Sequence, residues 1–222
     1  MNQIFKTSDG SHSIQSEKYG VSYHSRYGAV QETQHVFIDA GLRLKAVVQS
    51  DISVLEIGFG TGLNAFMTLL EAEKRNLTIR YTTLEAYPLE AAIYHQLNFP
   101  EVLQAQAFEN AFRKMHEGPW QEPLQLSDHF VFQKIRSRVE ELVFEPAFDL
   151  IYYDAFAPNA QPEIWEEAVL EKMYQALLPG GVLTTYCAKG SVKRSLRSIG
   201  FRVEAIDGPP GKREMTRAFK EE

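Results

Sequence analysis

The sequence predicts an α/β fold, a doubly wound and mostly parallel sheet flanked by helices, on three observations. Short β-branched or apolar runs alternate with segments of helical periodicity from residue 51 onward, which is the pattern of consecutive βα units. A glycine turn follows the first run, and acidic residues end two of the later ones. The 222 residues, 44% apolar and 12% aromatic, suffice for the core of one such domain and are few for two. The expectation is a single domain over 1–222, with an N-terminal arm and helices over 1–50 and the sheet-bearing core over 51–222.

Residues 1–20 are polar and read as a loosely held arm with a short strand around Gln3–Thr7. Residues 34–49 (QHVFIDAGLRLKAVVQ) fit one or two helices beside the sheet. Ser53–Ile57 is the first strand of the core, Gly58-Phe59-Gly60-Thr61-Gly62 the turn, and Leu63–Lys74 the first helix. Thr78–Glu85 is a second strand, and Pro88–Leu97 reads as its helix. Residues 100–128 read as helical pieces and loop around Gly118-Pro119 and Pro123, longer than an ordinary connection. Phe130–Ile135 and Phe148–Tyr153 are the third and fourth strands, and Glu163–Leu178 is a helix ended by Pro179-Gly180-Gly181. A strand at Val182–Ala188, a helix at Gly190–Ile199 and strands at Phe201–Ile206 and Met215–Phe219 complete the pattern.

Composition excludes several classes. No stretch approaches the roughly 20 uninterrupted apolar residues of a membrane span, and the first residues lack an apolar signal core, so a soluble cytoplasmic protein is expected. Cys187 has no second cysteine to pair with, and no metal-ligand spacing surrounds it, so no metal is expected. The net charge of −6 argues against a protein that coats nucleic acid. Its distribution is uneven, however. Between Lys189 and Lys220 nine basic residues face three acidic ones, which can place a basic face on an otherwise acidic protein.

In an open α/β sheet, ligands bind beyond the carboxyl ends of the strands. After the first strand, Gly58, Gly60 and Gly62 let the backbone turn tightly and approach a ligand. A dinucleotide fingerprint needs a glycine at position 63, which is Leu63 here. The run from Glu56 to Gly62, E-x-G-x-G-x-G, instead resembles the first motif of Rossmann-like methyltransferases, whose cofactor is S-adenosylmethionine (SAM). Glu85 ends the second strand where a carboxylate accepts both ribose hydroxyls. Asp154 ends the fourth strand, followed by Phe156 and Pro158, where amino methyltransferases hold their nucleophilic nitrogen. An aliphatic ammonium of pKa ~10 must lose a proton before it attacks. Asp154 is therefore the candidate catalytic group, with Phe156 shielding the site or stacking on a base. A turn-capping role for Asp154 is the structural alternative.

The chain resembles the methyltransferase half of the bifunctional tRNA-modifying MnmC family. The resemblance rests on Gln31-Glu32-Thr33 with Val36-Phe37-Ile38, on Leu55 through Asn64, and on Glu85-Ala86-Tyr87-Pro88-Leu89. It continues through Asp154-Ala155-Phe156-Ala157-Pro158, Pro162-Glu163-Ile164-Trp165, Pro179-Gly180-Gly181 and Gly211-Lys212-Arg213-Glu214-Met215. It implies SAM-dependent N-methylation of 5-aminomethyl(-2-thio)uridine at the tRNA wobble position. Glu32, Glu56, Gly58, Phe59, Gly60, Gly62, Asn64 and Glu85 would line the SAM site. Phe156, Pro158, Lys189, Arg194, Lys212 and Arg213 would meet the tRNA. The family reads Gly after the catalytic Asp, where this chain has Ala155, and Gly-Asp after the third strand, where it has Arg136-Ser137-Arg138. With no second glycine fingerprint, the family's flavin-dependent half is not expected, nor is FAD. Two other readings are a small-amine methyltransferase or aminopropyl transferase, for which an acidic cleft is suited, and a non-catalytic RNA-binding domain.

Overall fold

The computed structural model describes residues 2–221. It begins with a hairpin, β1 (Gln3–Lys6) and β2 (His12–Gln15). A helical segment follows, composed of α1 (Ala29–Thr33), a π-helical stretch (Gln34–Leu42) and α2 (Arg43–Lys45). β3 (Asp51–Ile57), α3 (Leu63–Arg75) and β4 (Thr78–Leu84) form the first βαβ unit. Short helices α4 (Ala91–Tyr94) and α5 (Phe99–Val102) precede α6 (Glu109–Glu117) and strands β5 (Pro123–Ser127) and β6 (Phe130–Ile135). The rest is β7 (Phe148–Tyr153), α7 (Glu167–Ala176), β8 (Leu177–Thr185), α8 (Gly190–Ile199), β9 (Arg202–Asp207) and β10 (Glu214–Phe219).

Among the described residues the large sheet runs in the order β5-β6-β4-β3-β7-β8-β10-β9. The strands from β6 through β8 are parallel neighbours, while β5 and β10 pair antiparallel to theirs. The pleat turns alternate residues of an inner strand toward two different cores. On β7, Leu150 and Tyr152 face the core shared with α3 and the π-helical stretch, while Ile151 and Tyr153 face the core under α7 and α8. The order reverses at β3, whose neighbours β4 and β7 leave a crevice at their carboxyl ends.

Several expectations are corrected. The arm over residues 1–20 is a folded hairpin: Asp9 accepts hydrogen bonds from Thr7 Oγ1 (2.7 Å) and from the backbone N–H groups of Ser11 and Gln31 (3.0 Å each), and Asn98 bonds His12 N and Gly10 O. The helix expected over Pro88–Leu97 contracts to α4. The segment expected as helix and loop ends in strand β5. The helix expected to run to Leu178 stops at Ala176, and Pro179-Gly180-Gly181 lies inside β8, which occupies residues 177–185.

Candidate active site

β3 turns into α3 through a loop whose Gly58 and Gly60 have φ of 95° and 48°, in the left-handed region that side chains disfavour. Space is as restrictive as torsion. A Cβ on Gly58 would stand 2.8 Å from the carbonyl oxygen of Asp154. Backbone N–H groups of Gly58 and Phe59 donate to Leu84 O at 3.0 and 3.2 Å, and Asp154 N donates to Ile57 O at 3.1 Å. The ends of β3, β4 and β7 are thereby drawn together around one cleft of about 900 Å³.

One side of the cleft has the features of a cofactor cradle. Glu85 accepts from Gly60 N at 2.9 Å through one carboxylate oxygen and from Tyr87 N at 2.7 Å through the other. Burial raises its pKa against the pull of those donors. The lining also includes Ala86 and Ser137 to Glu140, the latter from the segment that carries Arg136-Ser137-Arg138. A glycine loop that a Cβ would obstruct, beside a strand-end carboxylate, suits a nucleoside with a charged tail. The residues therefore fit SAM.

The other side holds Asp154. Asn64 Nδ2, in the first turn of α3, donates to Asp154 Oδ2 at 2.8 Å, and Thr33 Oγ1 orients Asn64 by donating to its Oδ1 at 2.9 Å. Burial raises the Asp154 pKa to about 7, reinforced by the nearby negative charge of Glu32 and opposed by Asn64 and Lys212. Phe156 packs against Tyr19 (centroids 4.5 Å apart) and Tyr23 (5.0 Å). Its carbonyl accepts from Trp165 Nε1 at 2.7 Å, and Ala155 O accepts from Tyr186 OH at 2.7 Å, so the strap after β7 is fixed at two successive residues. Ala155 has no positive φ, which is why alanine fits where the family has glycine.

Of the residues singled out in the sequence, Gly58, Phe59, Gly60, Asn64, Glu85, Asp154 and Phe156 line this cleft. Others do not. Glu56 is fully buried beneath the loop, because its position on β3 points inward; neither carboxylate oxygen has a hydrogen-bond partner among the described residues. Burial, and then the charge of Asp154, raises its pKa to about 8. Gly62 is the N-cap of α3 and lies against Phe59 and His116. Glu32 is buried behind the cleft, accepting from Ser25 N (2.8 Å) and Lys212 Nζ (2.7 Å). Lys212 thus points inward, over the Tyr186 ring at 3.8 Å, and is not a free surface cation. Lys189 bonds Asn159, and Pro158, Arg194 and Arg213 lie outside the lining.

Other members of the basic segment are also paired, Lys193 with Glu214 and Arg217 with Glu204. Tyr19, Tyr23 and His24 line the cleft and were not anticipated; their signal is a cluster of rings in an otherwise polar stretch.

This fold, with a glycine loop and the carboxylates of Glu85 and Asp154 gathered at one cleft, is that of a SAM-type methyltransferase. The chain belongs to the S-adenosyl-L-methionine-dependent methyltransferase family, whose model matches residues 98–221. It is 30% identical over 217 residues to the tRNA 5-methylaminomethyl-2-thiouridine biosynthesis bifunctional protein MnmC of Ectopseudomonas mendocina (strain ymp), and 31% over 215 residues to that of Stutzerimonas stutzeri (strain A1501). The alignments cover 90% and 91% of this chain, which spans 32% of each relative's length. The crystal structure of MNMC2 from Aquifex aeolicus superposes with a TM-score of 0.82 at 25% identity, covering 98% of this chain and 70% of that one. Among the described residues no helix is long and apolar enough to cross a membrane.

Proposed function

We propose that the protein methylates the amine of 5-aminomethyl(-2-thio)uridine at the wobble position of tRNA in the cytoplasm, giving the 5-methylaminomethyl product. The observation that carries this reading is Asp154, held by Asn64 at the end of β7 beside the glycine loop and walled by Phe156. The likeness to MnmC over nearly the whole chain supports the substrate.

When bound, SAM supplies an electrophilic methyl group on a sulfonium. Gly58 to Gly60 and Asn64 would hold its amino-acid end, Glu85 would turn from Gly60 and Tyr87 to the ribose hydroxyls, and Ser137 to Glu140 would flank the adenine. Asp154 accepts a proton from the substrate ammonium, freeing the nitrogen lone pair. Its raised pKa suits that task, since a carboxylate titrating near neutrality is a stronger base than an exposed one. Phe156, anchored through its carbonyl by Trp165, excludes water from the reacting atoms. Arg194 and Arg213, both exposed, would meet RNA phosphates, as would Lys189 once released from Asn159.

The test is transfer of labelled methyl from SAM to tRNA from cells lacking this activity, followed by nucleoside analysis of the wobble position. Label in 5-methylaminomethyluridine or its thio form is expected. Absence of label, with SAM binding intact, would move the search to small amines.

A further inference from the structure

The acceptor half of the cleft is built unlike a site for a flexible amine. Around Asp154 the cleft lining includes Tyr19, Tyr23, Phe156, Gln161 and Ile164, while the other lining carboxylates are Glu85 at the end of β4 and Glu140. A linear polyamine is a chain of charges that calls for carboxylates spaced along it, whereas this wall is aromatic.

The three rings come from two parts of the chain. Tyr19 and Tyr23 belong to the segment after the β1–β2 hairpin, and Phe156 belongs to the strap after β7. Tyr23 also lies against the glycine loop, its ring 3.0 Å from where a Cβ on Gly60 would stand, so it borders the cofactor and acceptor sides together. Tyr19 meets Phe156 at a 37° tilt and Tyr23 meets it edge-on at 79°, so the three rings form one aromatic corner in the lining of the cleft. Gln161 lines the same cleft, with a side-chain amide that makes no hydrogen bond among the described residues.

A primary amide presents one acceptor and one donor in the same plane, which is the complement of an imide, an N–H beside a carbonyl. Uracil and 2-thiouracil carry such an edge. Bases read in single-stranded RNA are splayed out, stacked on aromatic side chains and recognised along that edge.

We propose that this corner is a receptor for one splayed-out pyrimidine: Tyr19, Tyr23 and Phe156 receive the ring, and Gln161 reads its imide edge, leaving the 5-aminomethyl arm directed at Asp154. The inference rests on the uridine reading and assigns it to residues that touch the base. The polypeptide before β3 is then a specificity element for the acceptor, and acyclic amines are poor substrates because they leave both the rings and the amide unused.

The experiment uses the full chain saturated with S-adenosylhomocysteine and measures binding of the nucleoside 5-aminomethyluridine by calorimetry, with turnover on tRNA measured separately. Tyr19→Ala and Gln161→Ala should each weaken nucleoside binding and raise KM for tRNA by about tenfold, the scale of one stacking contact or one imide pairing, with S-adenosylhomocysteine affinity within about twofold. Tyr19 is only half-buried, so its truncation leaves the core intact, and Tyr19→Phe, which keeps the ring, should recover most of the affinity. Spermidine should not compete. Nucleoside binding sensitive to both substitutions, without turnover on tRNA, would uphold the receptor and sink the wobble-methylation reading. Turnover on tRNA indifferent to Tyr19→Ala and Gln161→Ala would overturn the receptor and leave that reading standing. A wild-type protein that binds spermidine but not the nucleoside would overturn both.

Discussion

Asn64 and Asp154 are joined by a 2.8 Å hydrogen bond that ties the first turn of α3 to the end of β7. The helix that follows the glycine loop therefore also orients Asp154, the proposed proton acceptor. One arrangement of the β3–α3 turn thus fixes the glycine loop and the Asp154 carboxylate relative to each other.

Asp154→Asn preserves the shape and an oxygen for Asn64 to bond, but removes the proton acceptor. We expect kcat to fall by at least about 100-fold, the lower end of what a positioned general base contributes, with the Kd for SAM within about threefold. Equal losses in both would assign Asp154 to the cofactor instead. Calorimetry and single-turnover methylation separate the two.

The raised pKa values have consequences of opposite sense for activity and stability. kcat/KM should rise with pH through about 7 as Asp154 ionises, and the inflection should be absent in Asp154→Asn. For stability, Asp154 and Glu56 hold their protons more tightly folded, at about 7 and about 8, than in the unfolded chain, where carboxyls titrate near 4. Between about pH 4 and those values the native state binds more protons than the unfolded one. Stability therefore falls as pH rises across that window, by up to about 1.4 kcal/mol per unit for each group. Melting curves from pH 5 to 8 should show the decline, and Glu56→Gln should flatten it.

Glu85→Ala removes the acceptor placed for the ribose. We expect SAM affinity to weaken by at least about tenfold, since hydrogen bonds to a charged group contribute roughly 1.5–3 kcal/mol, while kcat at saturating SAM stays within a few-fold. A kcat collapse at saturation would show that Glu85 acts beyond binding.

Lys212 and Arg213 are adjacent in sequence and should behave differently. Lys212→Ala strips the buried Glu32 of its cation and should destabilise the fold by about 1–3 kcal/mol, and raise the pH at which activity appears, because Glu32 then acts on Asp154 unopposed. Arg213 is exposed, and Arg213→Ala should flatten the salt dependence of tRNA binding by about one ion with stability unchanged. Indistinguishable effects on the salt slope would return Lys212 to the RNA surface.

The legible parts of the sequence were those where local pattern and tertiary environment agree. Phe130–Ile135, Phe148–Tyr153 and Gly190–Ile199 have the boundaries their periodicity predicts, because a strand of alternating burial, an apolar run between two cores, and an amphipathic helix begun and ended by glycine leave few alternatives. β5 was missed because PLQLS is a polar edge strand opened by proline, a pattern shared with loops. Gly58, Gly60, Glu85 and Asp154 could be placed because strand ends converge in any such sheet. Tyr19, Tyr23 and His24 could not, since they reach the cleft through the fold of a hairpin whose Asp9 and Asn98 anchors are long-range contacts. The direction of Lys212 was hidden for the same reason: its partner lies 180 residues away.

That separation bears on how the protein is made. The clasp of Lys212 on Glu32, with Gly211 against the Tyr27 ring and His35 Nε2 within 2.7 Å of Asp207 O, joins early and late parts of the chain. On the ribosome, β3 through β7 can emerge and pair while Glu32 still waits for its cation, and the long loop that the clasp closes is slow to form. The charge that balances Glu32 arrives only when residue 212 leaves the exit tunnel, so the ends of β3, β4 and β7 would meet in a nascent chain before the charges around Asp154 are complete.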